Sequence, residues 1–404
     1  MGTLRWQIRL DRLIRGQLSR PNARLDAPVR VALRLGAFQL QYMDRIPAHA
    51  AIGESVELAK LAGHTFAARM VNAVLRGLAA QARPDALAAG LSVAELAAAT
   101  AHPGWMVERW ARFYGMEQAR GICEHGQRQP ELAIRLGDDS VEAELAAAGI
   151  ELAPGTLLRA ARRVVGGDVT AMEAFRSGRL RIQEEGSQLI AELAGQGSRI
   201  LDCCAAPGGK TLILAERNPT SRITACELSP ARLEAMRLRI ITSAHAERIE
   251  LRQADAADLS EAEGFDLVLA DVPCSGTGTL GRNPEIRHRL QAADLSRHHD
   301  RQSAILRGAL RAGTRRVVYS TCSLEPEENG AVVDEVLAEN AMWRRVSAAD
   351  VMQELRTAGR LTELGLEKLL PGVATDGMLT LLPGSLGPDA ASDGFFIAIL
   401  EKVG

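Results

Sequence analysis

The sequence predicts an α/β protein whose second half is an open, doubly wound, mainly parallel sheet. A small α+β module and an all-α N-terminal domain are expected to precede it. Three observations carry that expectation. From residue 198 onward short apolar runs alternate with helical stretches, the pattern of strands joined by crossover helices. Between 131 and 182 strand-like and helix-like runs are shorter and closer together, as in an α+β unit. Residues 1–80 carry apolar side chains at three- and four-residue spacing. A chain of 404 residues is too long for one core. The changes of pattern divide it into helices at 1–80, linker helices with the α+β module at 81–185, and the parallel-sheet domain at 186–404.

In the first segment Val29 to Leu40 and Ala67 to Leu75 read as helices, and Pro47 separates two such stretches. Residues 81–100, opening around Arg83-Pro84, read as an alanine-rich linker that is itself partly helical. Trp105 to Tyr114 resumes the helical period. The α+β module follows as a strand at Glu131–Leu136, a short helix, an extended run from Leu157 to Val165, a helix at Ala171–Phe175 and a strand at Leu180–Gln183. The parallel sheet then takes Arg199–Asp202, Arg222–Glu227, Ile249–Arg252, Phe265–Ala270 and Arg316–Ser320.

Composition narrows the class. An apolar fraction of 47% is ordinary for a globular protein. No apolar stretch reaches the length of a membrane span, and the N-terminus has no signal-peptide core, so a cytoplasmic protein without a membrane partner is expected. A monomer is expected as well. The six cysteines (123, 203, 204, 226, 274 and 322) lack paired C-x-x-C spacing, so no metal site is expected and the thiols should be free. Cys123 and Cys226 read as small buried apolar residues. The net charge of -2 speaks against a uniformly basic nucleic-acid binder, yet residues 1–45 hold nine arginines against three acids. That excess either pairs with phosphates or forms a solvated helical face, and charge alone does not choose. Lysine occurs only at 60, 210, 368 and 402, so a lysine at 210, where arginine is the default, hints that a compact ammonium is needed there.

The first strand of the parallel domain ends in Asp202-Cys-Cys-Ala-Ala-Pro-Gly-Gly-Lys210-Thr, with a helix after it. Small residues here let the backbone turn sharply and lie close against a ligand. A P-loop would need glycine where Cys204 stands, and the dinucleotide pattern G-x-G-x-x-G is absent, so nucleotide phosphates are not the expected ligand. The second strand ends at Glu227, placed to accept from a ribose diol, and Asp255 follows the third, able to accept from an adenine amino group. A glycine loop with acids after strands two and three suits S-adenosylmethionine, which has a nucleoside but no phosphate. The expected cofactor-binding set is Cys204, Ala205, Ala206, Pro207, Gly208, Gly209, Lys210, Glu227, Asp255 and Asp271.

Cys274, in Asp271-Val-Pro-Cys-Ser-Gly, follows the fourth strand, and Cys322, in Ser320-Thr-Cys-Ser, follows the fifth. In open parallel sheets ligands bind beyond the carboxyl ends of the strands, so both thiols are expected in one crevice. A thiolate can add to C6 of a pyrimidine while an acid supports N3, leaving C5 able to take a methyl group. Asp271 is the expected acid, with a pKa raised by burial. The C5 proton must then leave and the enzyme thiol be eliminated, which would occupy a second cysteine. Which thiol attacks is not fixed by this chemistry. Lys210 either positions the site or starts the helix in solvent. Arg282, Arg287 and Arg289, just beyond the loop that carries Cys274, either hold flanking phosphates or lie on a solvated helix start.

These segments resemble the Nop/Sun family of RNA 5-methylcytosine methyltransferases. The likeness rests on Cys204-Ala-Ala-Pro-Gly-Gly-Lys210, Asp271-Val-Pro-Cys-Ser-Gly-Thr-Gly, Gly281-Arg-Asn-Pro-Glu-Ile-Arg287 and Ser320-Thr-Cys-Ser-Leu-Glu-Pro-Glu-Glu-Asn329. Ile182-Gln-Glu-Glu-Gly-Ser-Gln is similar to the family's lead-in to its catalytic domain. Leu33-Arg-Leu-Gly-Ala-Phe-Gln-Leu and Arg69-Met-Val-Asn-Ala-Val-Leu-Arg76 resemble a NusB-like RNA-binding domain, the pairing found in the small-subunit ribosomal RNA branch. The resemblance covers nearly the whole chain. It implies a Rossmann-like class I methyltransferase domain after an RRM-like module, with small-subunit ribosomal RNA as partner. It also implies that Cys322 is the nucleophile and Cys274 assists product release. Another RNA such as tRNA, or a non-catalytic assembly role, is the competing expectation, and the latter predicts loss of a key cysteine or of the glycine loop. The family pattern has further helices ahead of Gly2-Thr-Leu-Arg-Trp6, so the expectation is a true start upstream of Met1; the alternative, a trimmed bundle, would expose apolar surface between Leu4 and Phe38.

Overall fold

Helix period and strand alternation resolve into two compact units in a computed structural model, which describes residues 1–81, 87–259, 264–387 and 392–403. One unit comprises Met1–Gln129 with Leu280–Arg289, the other Pro130–Thr279 with Leu290–Gly404. Arg83-Pro84, where the linker was expected to open, lies outside the described residues.

The first unit is helical. Helices Gly2–Gln17, Ala27–Tyr42, Ala48–Leu61 and Ala68–Ala79 turn one apolar stripe each inward, burying Leu10, Ile14, Leu33, Ala37, Val71 and Leu75 in one core. Val93–Ala99 then starts on a capping box, in which Ser92 and Glu95 satisfy each other's backbone N–H groups. Gly104–Tyr114 and Met116–Gln127 complete the set. Of the apolar side chains between Leu4 and Phe38, Leu4 and Val31 are exposed, whereas Phe38 stacks on Tyr42 and Tyr42 on Trp6. The segment Leu280–Arg289 belongs here because Arg5 donates twice to the Gly281 carbonyl, at 2.7 and 3.1 Å.

The second unit opens with an antiparallel sheet of β1 (Leu132–Leu136), β2 (Glu151–Pro154), β3 (Ala161–Gly166) and β4 (Leu180–Ile182), in the order β2-β3-β1-β4. Helix Asp139–Ala147 covers it, with Ile134, Val141, Leu145 and Leu180 between. The extended run expected from Leu157 begins as a strand only at Ala161. Ahead of it the buried Glu185 carboxylate captures the backbone N–H groups of Thr156, Leu157 and Leu158 and holds that segment out of the ladder.

The large sheet contains β5 (Arg199–Asp202), β6 (Arg222–Glu227), β7 (Ile249–Gln253), β8 (Phe265–Asp271), β9 (Gly313–Thr321), β10 (Trp343–Val346), β11 (Leu379–Leu381) and β12 (Phe395–Lys402). Its main order is β10-β12-β9-β8-β5-β6-β7, with β11 paired to β12. Strands β5 to β9 are mutually parallel, while β10, β11 and β12 are antiparallel additions at one edge. The chain runs outward from β5 to β6 and β7, then returns to β8 on the other flank. The switch point therefore lies at the carboxyl ends of β5 and β8, where open α/β sheets bind ligands.

A buried ion cluster joins the module to the large sheet's helices within this unit. Arg135 on β1 and Glu192 on helix Glu185–Ala194 are each 1% exposed and 2.8 Å apart, and Arg217 reaches Glu192 at 2.7 Å. Burial acts against the Glu192 carboxylate, but Arg217 and Arg135 outweigh it and hold the group below the usual carboxylate range. Glu192→Ala leaves the Arg135 guanidinium buried without this partner, so a loss of about 3–5 kcal/mol is expected. Thermal melts compare it with a surface control, Glu57→Ala, which should shift little because its ion pair with Lys60 is exposed.

Candidate active site

The loop after β5 meets the opening requirement for a close-packed ligand. Gly208 has φ +96, a conformation that favours glycine, and it caps helix Gly209–Arg217. Ala205 N–H donates to the Cys226 carbonyl at 2.8 Å, which lashes the loop to the end of β6. A cavity of about 190 Å³ opens beside it, bordered by Cys204, Ala206, Glu227, Asp255, Asp271, Cys274, Arg301 and Cys322. A second cavity of about 110 Å³ shares Cys204, Ala206 and Asp271 and adds Gln183, Asp202, Lys210 and Arg239. Asp271 thus stands on the border of both.

Glu227 and Asp255 border the larger cavity, at the tip of β6 and just after β7. Glu227 accepts from Ser229 N–H at 2.9 Å and pairs with Arg232 at 3.1 Å, while Asp255 accepts from Ala257 N–H at 3.0 Å. Two oriented carboxylates beside a small-residue loop fit the diol and amine of a nucleoside. The Pro207, Gly208 and Gly209 backbone lies on the side of the smaller cavity and the helix start.

Asp271 was expected in surroundings that raise it by burial. The structure corrects the expected burial: the side chain is a quarter exposed, and its carboxylate accepts from Lys210 Nζ and from Ser320 Oγ, both at 2.7 Å. Burial acts to lower the Lys210 ammonium, but Asp271 outweighs it and holds the group above its ordinary value. Burial raises Asp202, an acid that sequence reasoning passed over. It is 1% exposed, accepts from Thr211 Oγ1 at 2.7 Å, and is pushed up by burial to about 7. Its place as the last residue of β5, next to the glycine loop, was the available signal.

The sulfurs of Cys274 and Cys322 lie 3.3 Å apart. The hydrogen bond with Cys322 and burial together push the Cys274 thiol well up. The backbones are interlocked as well, since Gly278 N–H donates to the Cys322 carbonyl at 2.9 Å. A Cβ at Gly278 would run into the Gly394 carbonyl, so only glycine fits there.

The three arginines do not share one fate. Arg287 is withdrawn as a phosphate ligand: it is 3% exposed, and its guanidinium donates to the Arg5 and Gly126 carbonyls at 3.0 Å each. Burial lowers it to about 10. Arg289 is exposed and Arg282 half-buried. Among the described residues no cluster of ligating side chains could hold a metal ion, and no helix is long and apolar enough to cross a membrane.

Residues 191–401 match the family model of the 16S rRNA methyltransferase RsmB/F, residues 1–80 that of the NusB family, and residues 102–165 the ferredoxin-like domain of the RsmF/B-like methyltransferases. The chain is 34% identical over its full length to the probable ribosomal RNA small subunit methyltransferase B of Bacillus subtilis, covering 89% of that protein. It is 35% identical over 86% of its length to the ribosomal RNA small subunit methyltransferase B of Pseudomonas putida, covering 81% of it. The solved structure of PH0851 superposes with a TM-score of 0.80 at 23% identity, over 99% of this chain and 88% of that one.

The Asp202 carboxyl yields a pH prediction. Its folded pKa lies above its ordinary 3.8, so between that value and about 7 the folded chain holds more protons than the unfolded one. Stability from this group is therefore lost as pH rises through that window, at most about 1.4 kcal/mol per pH unit. Asp202→Asn should gain on the parent protein between pH 5 and pH 8 in thermal melts. A difference that stays flat across those pH values would sink the assignment.

Proposed function

This chain belongs to the 16S rRNA methyltransferase RsmB/F family, and on that premise we propose that it transfers a methyl group from S-adenosylmethionine to C5 of a cytosine in small-subunit ribosomal RNA. The reaction would run through a covalent bond between Cys322 and C6 of the base. The observation that supports this reading most is the pair of sulfurs 3.3 Å apart beside Asp271, at the carboxyl ends of adjacent strands.

S-adenosylmethionine, when bound, supplies an electrophilic methyl group. Glu227 and Asp255 would hold its ribose and adenine, with the loop from Cys204 to Gly209 closing against it. The target cytosine must leave its stack, because C5 and C6 are not reachable within one. The Cys322 thiolate then adds to C6 and electron density moves toward N3. Asp271 would face N3 and hand it a proton drawn from the Lys210 ammonium, which donates to the carboxylate at 2.7 Å, so that the charge accumulating on the ring is neutralised. Once C5 has taken the methyl group, its proton must leave and the carbon–sulfur bond to Cys322 must break. Cys274 suits this later step: a raised pKa keeps its thiol protonated and a poor attacker at first, and once that proton has passed to solvent the thiolate is a base strong enough to take the C5 proton as Cys322 leaves as a thiolate.

Transfer of labelled methyl to total RNA, followed by nuclease digestion and base analysis, tests the substrate. Modified cytosine in small-subunit RNA is expected, and label confined to transfer RNA would move the assignment there. Cys322→Ala should abolish methylation, whereas Cys274→Ala should accumulate a covalent protein–RNA adduct visible on denaturing gels. Ordinary turnover by the Cys322 variant would remove the proposed mechanism.

A further inference from the structure

Each of the two cysteines is followed by a serine, and both serines converge on one buried carboxylate. Glu328, in the turn Pro326–Glu328, is 0% exposed. Its side chain accepts from the backbone N–H of Ser275 at 2.8 Å and from the Ser275 hydroxyl. It also accepts from the Ser323 hydroxyl at 2.5 Å and from Gln302 Nε2 at 2.9 Å. The two hydroxyls are themselves 3.1 Å apart. Gln302, from helix Asp294–Ala312, adds a bond to the Pro273 carbonyl at 3.0 Å, so the Cys274 loop is held on both sides of the cysteine. The Glu328 backbone is fixed in turn, its carbonyl accepting from Tyr319 Oη at 2.6 Å.

A carboxylate buried this completely, and held mainly by neutral donors, is costly to keep out of water. The His298 imidazole lies 3.9 Å from it. An apolar plug would pack the same space, so the geometry needs another reason. We infer that Glu328 is a positioning residue that sets the spacing of Cys274 and Cys322 by gripping the serine beside each. The inference rests on the covalent mechanism proposed above. Without Glu328 the two loops keep their strands but lose the shared tie, and a displacement of about 1 Å between reacting groups costs on the order of 100-fold in rate.

The test uses the full chain with labelled cofactor and RNA. Glu328→Ala should lower kcat about 100-fold, with the KM values for RNA and cofactor changed little, and Glu328→Gln, which keeps one acceptor oxygen, should recover part of that loss. Ser323→Ala loosens the Cys322 loop and should slow adduct formation. Ser275→Ala loosens the Cys274 loop and should raise the fraction of enzyme trapped as adduct. A merely structural role would lower the melting temperature of all four without this opposite movement of adduct. Full kcat in Glu328→Ala, or the same adduct fraction in both serine variants, overturns the inference. Should Cys322→Ala still turn over, the mechanism fails instead, and the two failures are told apart by that control.

Discussion

Because β8 and β9 run parallel with Asp271 opposite Ser320, their chain ends leave the sheet on the same edge and at the same height. Everything chemical in the second unit follows from that register. Two residues beyond Ser320 comes Cys322, three beyond Asp271 comes Cys274, and their sulfurs meet at 3.3 Å. The same register lets the Ser320 hydroxyl reach Asp271 directly. A slip of one residue would turn each of these side chains to the opposite face of the sheet, so the pairing has to be specified strongly. It is: Leu267, Val268, Leu269 and Ala270 on β8 and Val317, Val318 and Tyr319 on β9 are all fully buried.

The apolar sheet is what gives the charges around it their strength. Asp202 ends β5, Asp271 ends β8, and Lys210 lies at the start of the helix that follows β5. Burial acts against the charged forms of Lys210 and Asp202 alike, and their partners decide the outcome. Lys210 is held up by Asp271, whereas Asp202, with a hydroxyl as its partner, is pushed to about 7. The two acids are thereby given different surroundings, one beside a cation and one that favours its neutral form. Separation of like groups by environment is how a site runs acid and base steps near neutrality.

What could be read from the sequence follows what is local. The inner parallel strands announced themselves because buried parallel strands are largely apolar runs, the edge strand β7 by alternation in Ile-Glu-Leu-Arg, and the glycine loop because its turn needs residues without bulk. Strands β10 to β12 were not anticipated, although Phe395-Phe-Ile-Ala-Ile-Leu400 is as apolar as any of the others. Its place between β9 and β10 is decided by a chain reversal that no local period encodes. Arg287 misled for a related reason. A guanidinium near a catalytic loop looks available for phosphate, and only the fold reveals that Arg5 and Gly126 present carbonyls to it. Asp271 was read correctly as a strand-end carboxylate, but its surroundings depend on Lys210, 61 residues away in sequence.

The nine arginines before residue 46 illustrate how structure divides a charge count that composition could only sum. Arg5 is engaged by Gly281, Arg9 by the Ala99 carbonyl and Arg34 by Asp11. Arg12, Arg15, Arg20, Arg24, Arg30 and Arg45 remain exposed. Arg15, Arg24, Arg30 and Arg34 border one groove with a single acid, Asp11, already engaged by Arg34. Asp11 stands four residues before Arg15 and Asp26 four before Arg30, the spacing at which an acid and a base meet along a helix, so part of this charge is offset by sequence neighbours. The four arginines nevertheless come to one groove from two helices and the turn between them, a clustering that the period of neither helix encodes by itself.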